Sequence, residues 1–204
     1  MNILEYTLEQ ELMEQGYSAI CGVDEAGRGP LCGPVVAAAV ILPGGLYIEG
    51  LNDSKKLSEK KREALFDRIC ESAIAYAIAE STVEEINATN ILEATLSAMR
   101  RAIQALTVPA DYALIDGNVS RGFPLPAKAV IHGDAISPSI AAASILAKVT
   151  RDRLCMELDR QYPQYGIIKH KGYGTKAHMD ALRTYGPAPI HRTKFIRFLQ
   201  EDET

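Results

Sequence analysis

Four acidic residues share one kind of setting in this chain. Asp24 and Glu25 sit in VDEAGRG, after an apolar run and before glycines. Asp116 closes LID ahead of Gly117 and Asn118, and Asp134 lies in HGDAISPS, between an apolar run and a helix start. In open α/β sheets functional groups collect at strand ends, where loops bring distant segments together. Carboxylates converging there would repel one another, and some would be forced to hold protons. A divalent cation removes the difficulty. Mg2+ and Mn2+ favour such oxygen-only sites and leave positions open for water and phosphate. Taken singly, each acid is accounted for as a cap or turn residue beside a glycine, as Asp commonly is. Three such segments in one chain fit that explanation less well.

Gly27, Arg28 and Gly29 form the second feature. They are not a dinucleotide-binding fingerprint, because Pro30 interrupts and no glycine follows at the required step. Two glycines ordinarily make a turn. They also let backbone amides approach a sugar-phosphate closely, with Arg28 adding positive charge. The sulfur and imidazole groups carry less. Cys21, Cys32, Cys70 and Cys155 form no C-x-x-C pair and read as small buried hydrophobes in a reducing compartment. The histidines lack zinc-ligand spacing, since His170 and His178 are too far apart for an i, i+4 pair.

The elements that must position these groups follow from periodicity. Residues 4–15 pattern as a short amphipathic helix ended by Gly16, and 17–23 as a strand leading into the glycine-rich segment. Residues 35–42 (VVAAAVIL) are apolar without alternation, which suits a strand covered on both faces. Asn52–Ser54 predicts a turn, Ser58 and Glu59 open a helix to about 72, and 74–80 alternate as a third strand. A helical stretch runs over 83–106 with Asn90 as an internal cap, and short strands follow at 112–115 and 129–131. Ser137 before Pro138 is a capped helix start, and that helix runs to about Arg160, its alanines predicting close packing on the sheet. The rest, from Tyr162, reads as loops and helices. The sum is an α/β fold with about five strands in a mixed sheet flanked by helices. We read residues 1–204 as one domain, with 162–204 a basic C-terminal helical appendage whose core is too small to stand alone.

Composition places the chain among ordinary globular proteins: 204 residues, 47% hydrophobic and 24% charged. The uncharged stretch 29–48 holds three prolines and three interior glycines after Gly29, so it cannot span a membrane as a helix. Acidic residues at 5, 9, 11 and 14 stand where a signal peptide needs positive charge, and the expected location is cytoplasmic. The net charge of −4 hides an asymmetry. Residues 148–197 carry eleven Lys/Arg against four Asp/Glu, a balance of +7, which could be the footprint of a polyanion or a solvated face.

With these residues in view, the chain resembles a known family. Residues 21–34 (CGVDEAGRGPLCGP) closely resemble the first signature of ribonuclease HII, the type 2 ribonuclease H of bacteria. The resemblance continues through NDSKKL at 52–57, IDGN at 115–118, GDA at 133–135, SIAAASILAKVTRD at 139–152, HKGYGT at 170–175, and ends near His191 and Arg192. Related ribonucleases HIII carry an extra N-terminal domain and usually lysine where this chain has Arg28; with 23 residues ahead of Asp24, the resemblance points to HII.

The resemblance implies a ribonuclease H-like fold and a metal centre of Asp24, Glu25, Asp116 and Asp134, with two Mg2+ or Mn2+ ions about 3.5–4 Å apart. It implies an endonuclease that hydrolyses the RNA strand of RNA–DNA hybrids and cuts 5′ of single ribonucleotides in duplex DNA, leaving a 3′-hydroxyl and a 5′-phosphate. Partners are then those duplexes, with no membrane, and the protein a monomer. The backbone of Gly27, Arg28 and Gly29 would bond the 2′-hydroxyl, and Tyr173 would pack on the next sugar. Ser139, Lys148 and the helix N-terminus at Ser137-Pro138 are candidate phosphate contacts, with Lys55 and Lys56 less specific. Neighbouring strand residues point to opposite faces, so Asp24 and Glu25 cannot both reach one ion by side chains on a regular strand. Either the chain bends, or Glu25 acts through its carbonyl or a water. Two rival readings remain: a non-catalytic nucleic-acid-binding module, and a metal nuclease that cuts DNA as readily as RNA. The tail 194–199 reads as a terminal amphipathic helix, with partner docking as the alternative.

Overall fold

A computed structural model describes residues 4–51 and 57–201, with the backbone alone for the last two. The turn expected at Asn52–Ser54, and Lys55 and Lys56, lie outside the described residues. Strands β1 (Ile20–Ala26), β2 (Val35–Ile41), β3 (Ala75–Ser81), β4 (Tyr112–Asp116) and β5 (Ala127–Val130) form one sheet in the order β3-β2-β1-β4-β5. β1 to β3 are an antiparallel meander, while β4 runs parallel to β1 and β5 parallel to β4. The helices are α1 (Thr7–Glu14), α2 (Glu59–Ser72), α3 (Val83–Ala88), α4 (Ile91–Gln104), α5 (Pro138–Gln161), α6 (Ile167–His170), α7 (Lys176–Tyr185) and α8 (Phe198–Glu201).

Side-chain alternation divides the sheet into two cores. Cys21, Val23, Ala37 and Ala39 pack against Leu96, Met99 and Ile103 of α4. On the other face Ala38 and Val40 meet Ala142, Ile145 and Leu146 of α5, and Leu65 and Ile69 of α2 close that layer. β2 is buried at all seven positions, as its unbroken apolar run requires. The alanines of α5 do pack closely, with Ala141, Ala142, Ala143 and Ala147 fully buried. A glycine makes the closest approach possible: a Cβ on Gly22 would lie 2.1 Å from the Ser139 carbonyl carbon. Among the described residues no helix is long and apolar enough to cross a membrane.

Two expectations shift, and the internal cap expected at Asn90 is found. The strand expected to stop at Val23 continues to Ala26, because β2 pairs with it through Ala26↔Val36; Asp24 and Glu25 therefore lie inside β1 and not after it. The helical stretch 83–106 is two helices, each with its own N-cap. Thr82 forms a capping box with Glu85, and the Asn90 side chain accepts from the Glu93 amide. The tail 194–199 is not one helix but a 3-10 turn (Thr193–Phe195) and the start of α8. Its backbone is tied down instead. Asn87 accepts from the Thr193 amide at 3.0 Å, and Lys194 donates to the Thr89 carbonyl.

The segment beyond α5 has a small core of its own, but it borrows residues from elsewhere. Tyr165, Ile167, Leu182 and Ile190 pack with Cys155 of α5 and with Cys32 of the glycine-rich segment. Cys32 pairs with His191 as an isolated antiparallel bridge. The appendage thereby buttresses the turn that Gly27 to Gly29 begin.

Candidate active site

β1 and β4 lie side by side, paired in parallel up to Val23↔Ile115. One residue further, Asp24 and Asp116 stand on neighbouring strands and, by alternation, on the face covered by α5. Glu25 points to the other face, where Leu92, Thr95 and Met99 of α4 border it. The chain does not bend here, since Glu25 stays paired with Ala37. β4 ends at Asp116 while β1 runs on, and one open cleft of about 270 Å³ takes in Asp24, Glu25 and Asp116 together.

Asp24 is the most constrained of the three. It is 4% exposed, and its Oδ1 accepts the Glu25 amide at 2.7 Å. Burial pushes its pKa well above the usual carboxylate range, and the negative charges of Glu25 and Asp116 push it further. The Glu25 amide and the Ser144 hydroxyl pull the other way. Asp116 Oδ1 accepts the Gly133 amide at 2.7 Å, which binds the β4 end to the 3-10 turn Gly133–Ala135. His132 enters that turn in the left-handed region, φ 55°. Asp134, next in the turn, is buried and does not line that cleft. Hard oxygen donors held this close at a strand end fit a divalent cation such as Mg2+ or Mn2+, which would relieve the repulsion that raises the Asp24 pKa.

Gly27, Arg28, Gly29 and Tyr173 line the same cleft. Gly27 has φ +100°, and a Cβ there would fall 2.0 Å from Arg151 Nε and 3.0 Å from the Pro34 carbonyl. Over Gly29 lies the Tyr173 ring, whose Cε1 would be 3.3 Å from an added Cβ. That ring is half exposed, and its segment is tied to the turn by the Leu31 amide donating to the Gly172 carbonyl at 2.8 Å. Arg28 reaches back to Glu25 at 3.4 Å. Lys148 lines the cleft with its Nζ 2.6 Å from Asp152 Oδ1, leaving two of its three N–H donors for other partners.

Ser139 is elsewhere. It is buried, and its hydroxyl and that of Ser137 both donate to the Glu9 carboxylate, at 2.5 and 2.6 Å. Its amide also points at Glu9, at 3.3 Å. A carboxylate from α1 thus fills the anion site at the α5 N-terminus, and neither Ser139 nor that terminus is open to a phosphate. Nothing local in the sequence pairs Glu9 with residues 128 and 130 positions away. Ser144 and Arg151 also border the cleft and were not singled out. For Ser144 a signal existed, a lone hydroxyl inside an alanine-rich apolar run.

Behind the turn, Cys32, His178 and His191 are buried with their ligand atoms within 4.8 Å of one another, a proximity that sequence spacing does not reveal. Hydrogen bonds account for the histidines without an ion. His178 Nδ1–H donates to the Tyr173 carbonyl at 3.0 Å, and His191 Nδ1 accepts the Ala188 amide at 3.0 Å. That leaves the His191 Nε2–H to donate to His178 Nε2 at 3.2 Å. Burial lowers both pKa values, His191 to about 4, so both rings are neutral near pH 7.

Comparison with known proteins agrees with this geometry. A model of the ribonuclease HII family matches residues 21–198. Among curated relatives, the ribonuclease HII of Syntrophotalea carbinolica is 54% identical over 187 residues, 92% of this chain and 90% of the relative. That of Dechloromonas aromatica is 58% identical over 176 residues, 86% of this chain and 90% of the relative. Among solved structures, the ribonuclease H2 of Pyrococcus horikoshii OT3 superposes with a TM-score of 0.74 at 28% identity, covering 91% of this chain and 98% of that one.

Proposed function

The chain belongs to the ribonuclease HII family of metal-dependent endonucleases, and from that premise we propose how its own residues select and cut their substrate. The substrate is duplex in which RNA, or a lone ribonucleotide, is paired with DNA. Asp24, Glu25, Asp116 and Asp134 would hold the divalent cations, the first three from the cleft they line together. Two Mg2+ or Mn2+ ions bound there would supply an activated water and neutralise charge on the leaving 3′-oxygen. The products are a 3′-hydroxyl and a 5′-phosphate.

Every other part of the reading is protein. The amides of the Gly27-Arg28-Gly29 turn bond the 2′-hydroxyl that distinguishes RNA from DNA. Tyr173 stacks on the next sugar, so the cut falls 5′ of a ribonucleotide followed by deoxyribose. Lys148 offers its remaining donors to a phosphate, and the exposed basic residues between 148 and 197, which exclude the buried Arg151 and Arg192, hold the duplex by its backbone. The observation that carries this reading is one cleft lined by three carboxylates, a glycine turn and an exposed tyrosine.

The test is cleavage of a strand-labelled RNA–DNA hybrid with Mg2+ and with chelator. Cutting of the RNA strand in Mg2+ alone is expected. Binding without cutting would favour a non-catalytic module, and equal cutting of all-DNA duplex would favour an unselective nuclease.

A further inference from the structure

Arg192 carries a role that the reaction scheme above leaves unassigned. Its side chain is fully buried, at the C-terminal end of the bridge between Cys32 and His191. A guanidinium has five N–H donors in a fixed plane, and here all five end on backbone carbonyls of one loop. Nε donates to Gly33 at 2.9 Å. Nη1 donates to Arg28 at 2.9 Å and Pro30 at 2.8 Å, and Nη2 to Gly27 at 2.7 Å and Pro34 at 3.2 Å. The residue is itself anchored, its amide donating to the Leu31 carbonyl at 2.8 Å.

Peptide geometry turns these bonds into an orientation. Across a trans peptide the N–H of the next residue points away from the preceding C=O. Each carbonyl drawn inward to Arg192 therefore sends one amide outward. For Pro30 that amide is Leu31, which donates to Gly172. For Gly33 it does not exist, because residue 34 is proline, and for Pro34 it belongs to Val35 at the head of β2. The two that remain are the amides of Arg28 and Gly29. Both residues line the cleft, and among the described residues neither amide has a hydrogen-bond partner.

We infer that Arg192 is the positioning residue for ribose selection: by holding the carbonyls of Gly27 and Arg28 it aims the Arg28 and Gly29 amides into the cleft as a preset pair of donors. The inference rests on the proposed reading that this turn meets the 2′-hydroxyl. Burial and the neighbouring Arg151 charge lower the Arg192 pKa to about 10, so the group remains cationic and keeps all five donors at neutral pH. Lysine cannot replace it, since an ammonium has three donors on a tetrahedral centre and cannot span five carbonyls.

The test compares duplexes that differ by one 2′-hydroxyl. Binding of a duplex with a single ribonucleotide and of its all-deoxy counterpart is measured in Ca2+ with no turnover, for the wild type and Arg192→Lys. The wild type should prefer the ribonucleotide duplex. In a folded Arg192→Lys the preference should fall about tenfold, the equivalent of about 1.4 kcal/mol, with the loss confined to the ribonucleotide duplex. If the preference is unchanged, or if both affinities fall by the same factor, Arg192 is only structural and the inference is overturned. A wild type with no preference would instead refute the reading of the turn itself. Should the lysine variant fail to fold, Arg192→Gly carries the test. Millimolar guanidinium, and not equal NaCl, should restore the preference; failure to restore it in refolded protein overturns the inference.

Discussion

Replacing Asp24 with asparagine should lower activity and raise the stability of the metal-free protein. Asp24 and Asp116 stand on adjacent strands, whose backbones run about 4.8 Å apart, a fair scale for their charges. Two full charges at that distance and an effective dielectric near 20 repel by about 3 kcal/mol. The metal-free protein escapes part of this by keeping a proton on Asp24, whose pKa burial, Glu25 and Asp116 raise. The sign follows. The native state holds a proton that the unfolded chain releases, so stability falls as pH rises above the ordinary Asp range. Asparagine has no charge to bury, and its Oδ1 can still accept the Glu25 amide. In chelator at pH 7.5 the variant should gain up to about 3 kcal/mol, several degrees in Tm at roughly 2–4 °C per kcal/mol for this size. The gain should vanish below about pH 3.9, where the unfolded chain also binds the proton. Mg2+ should raise the wild-type Tm and barely move the variant. Cleavage should slow about 10³-fold, the equivalent of about 4 kcal/mol. The measurements are thermal melts with and without Mg2+ and single-turnover rates on a labelled hybrid. A metal-free Tm that is unchanged or lower, with the Mg2+ shift retained, would refute the reasoning.

Alanine at Gly27 and at Gly29 should separate folding from recognition. Gly27→Ala forces a side chain into φ +100° and against Arg151, and should cost more than about 2 kcal/mol in denaturant unfolding. Gly29→Ala meets only an exposed ring at 3.3 Å; its stability should change by under about 1 kcal/mol while the rate at a lone ribonucleotide drops about tenfold or more. Tyr173→Ala should slow cutting at a lone ribonucleotide more than cutting within long hybrid, and Tyr173→Phe should be milder; equal slowing on both substrates would make Tyr173 a support of the fold only. For His191, the unfolded chain takes up a proton that the native state refuses, so stability should fall from pH 6.5 towards 4 by up to about 3 kcal/mol. Urea unfolding of His191→Gln should show that slope flattened, and an unaltered slope would point to other groups.

What could be read in the sequence is what depends on neighbours in the chain. β2 announced itself by an apolar run buried at every position, and α5 by Ser137 before Pro138. The acids at the ends of β1 and β4 were visible because glycines follow them. Misreadings arose where a distant partner decides. The continued pairing of β2 carries β1 past Asp24, and Glu9 occupies the α5 N-terminus that the motif offered to phosphate. His178 and His191 meet across a loop, so a search for close pairs in sequence passes over them. Arg192 was visible only as the end of a motif, because five carbonyls of one loop have no sequence signature.

The most direct measurement uses a labelled DNA duplex with one ribonucleotide beside an otherwise identical all-deoxy duplex, under single-turnover conditions in Mg2+. One cut is expected, on the 5′ side of the ribonucleotide, with a 3′-hydroxyl and a 5′-phosphate, no cut in the all-deoxy duplex, and none in chelator. Equal cutting of the two duplexes, or cutting that persists in chelator, would contradict the claim that one cleft both reads the ribose and holds the metal that breaks the bond.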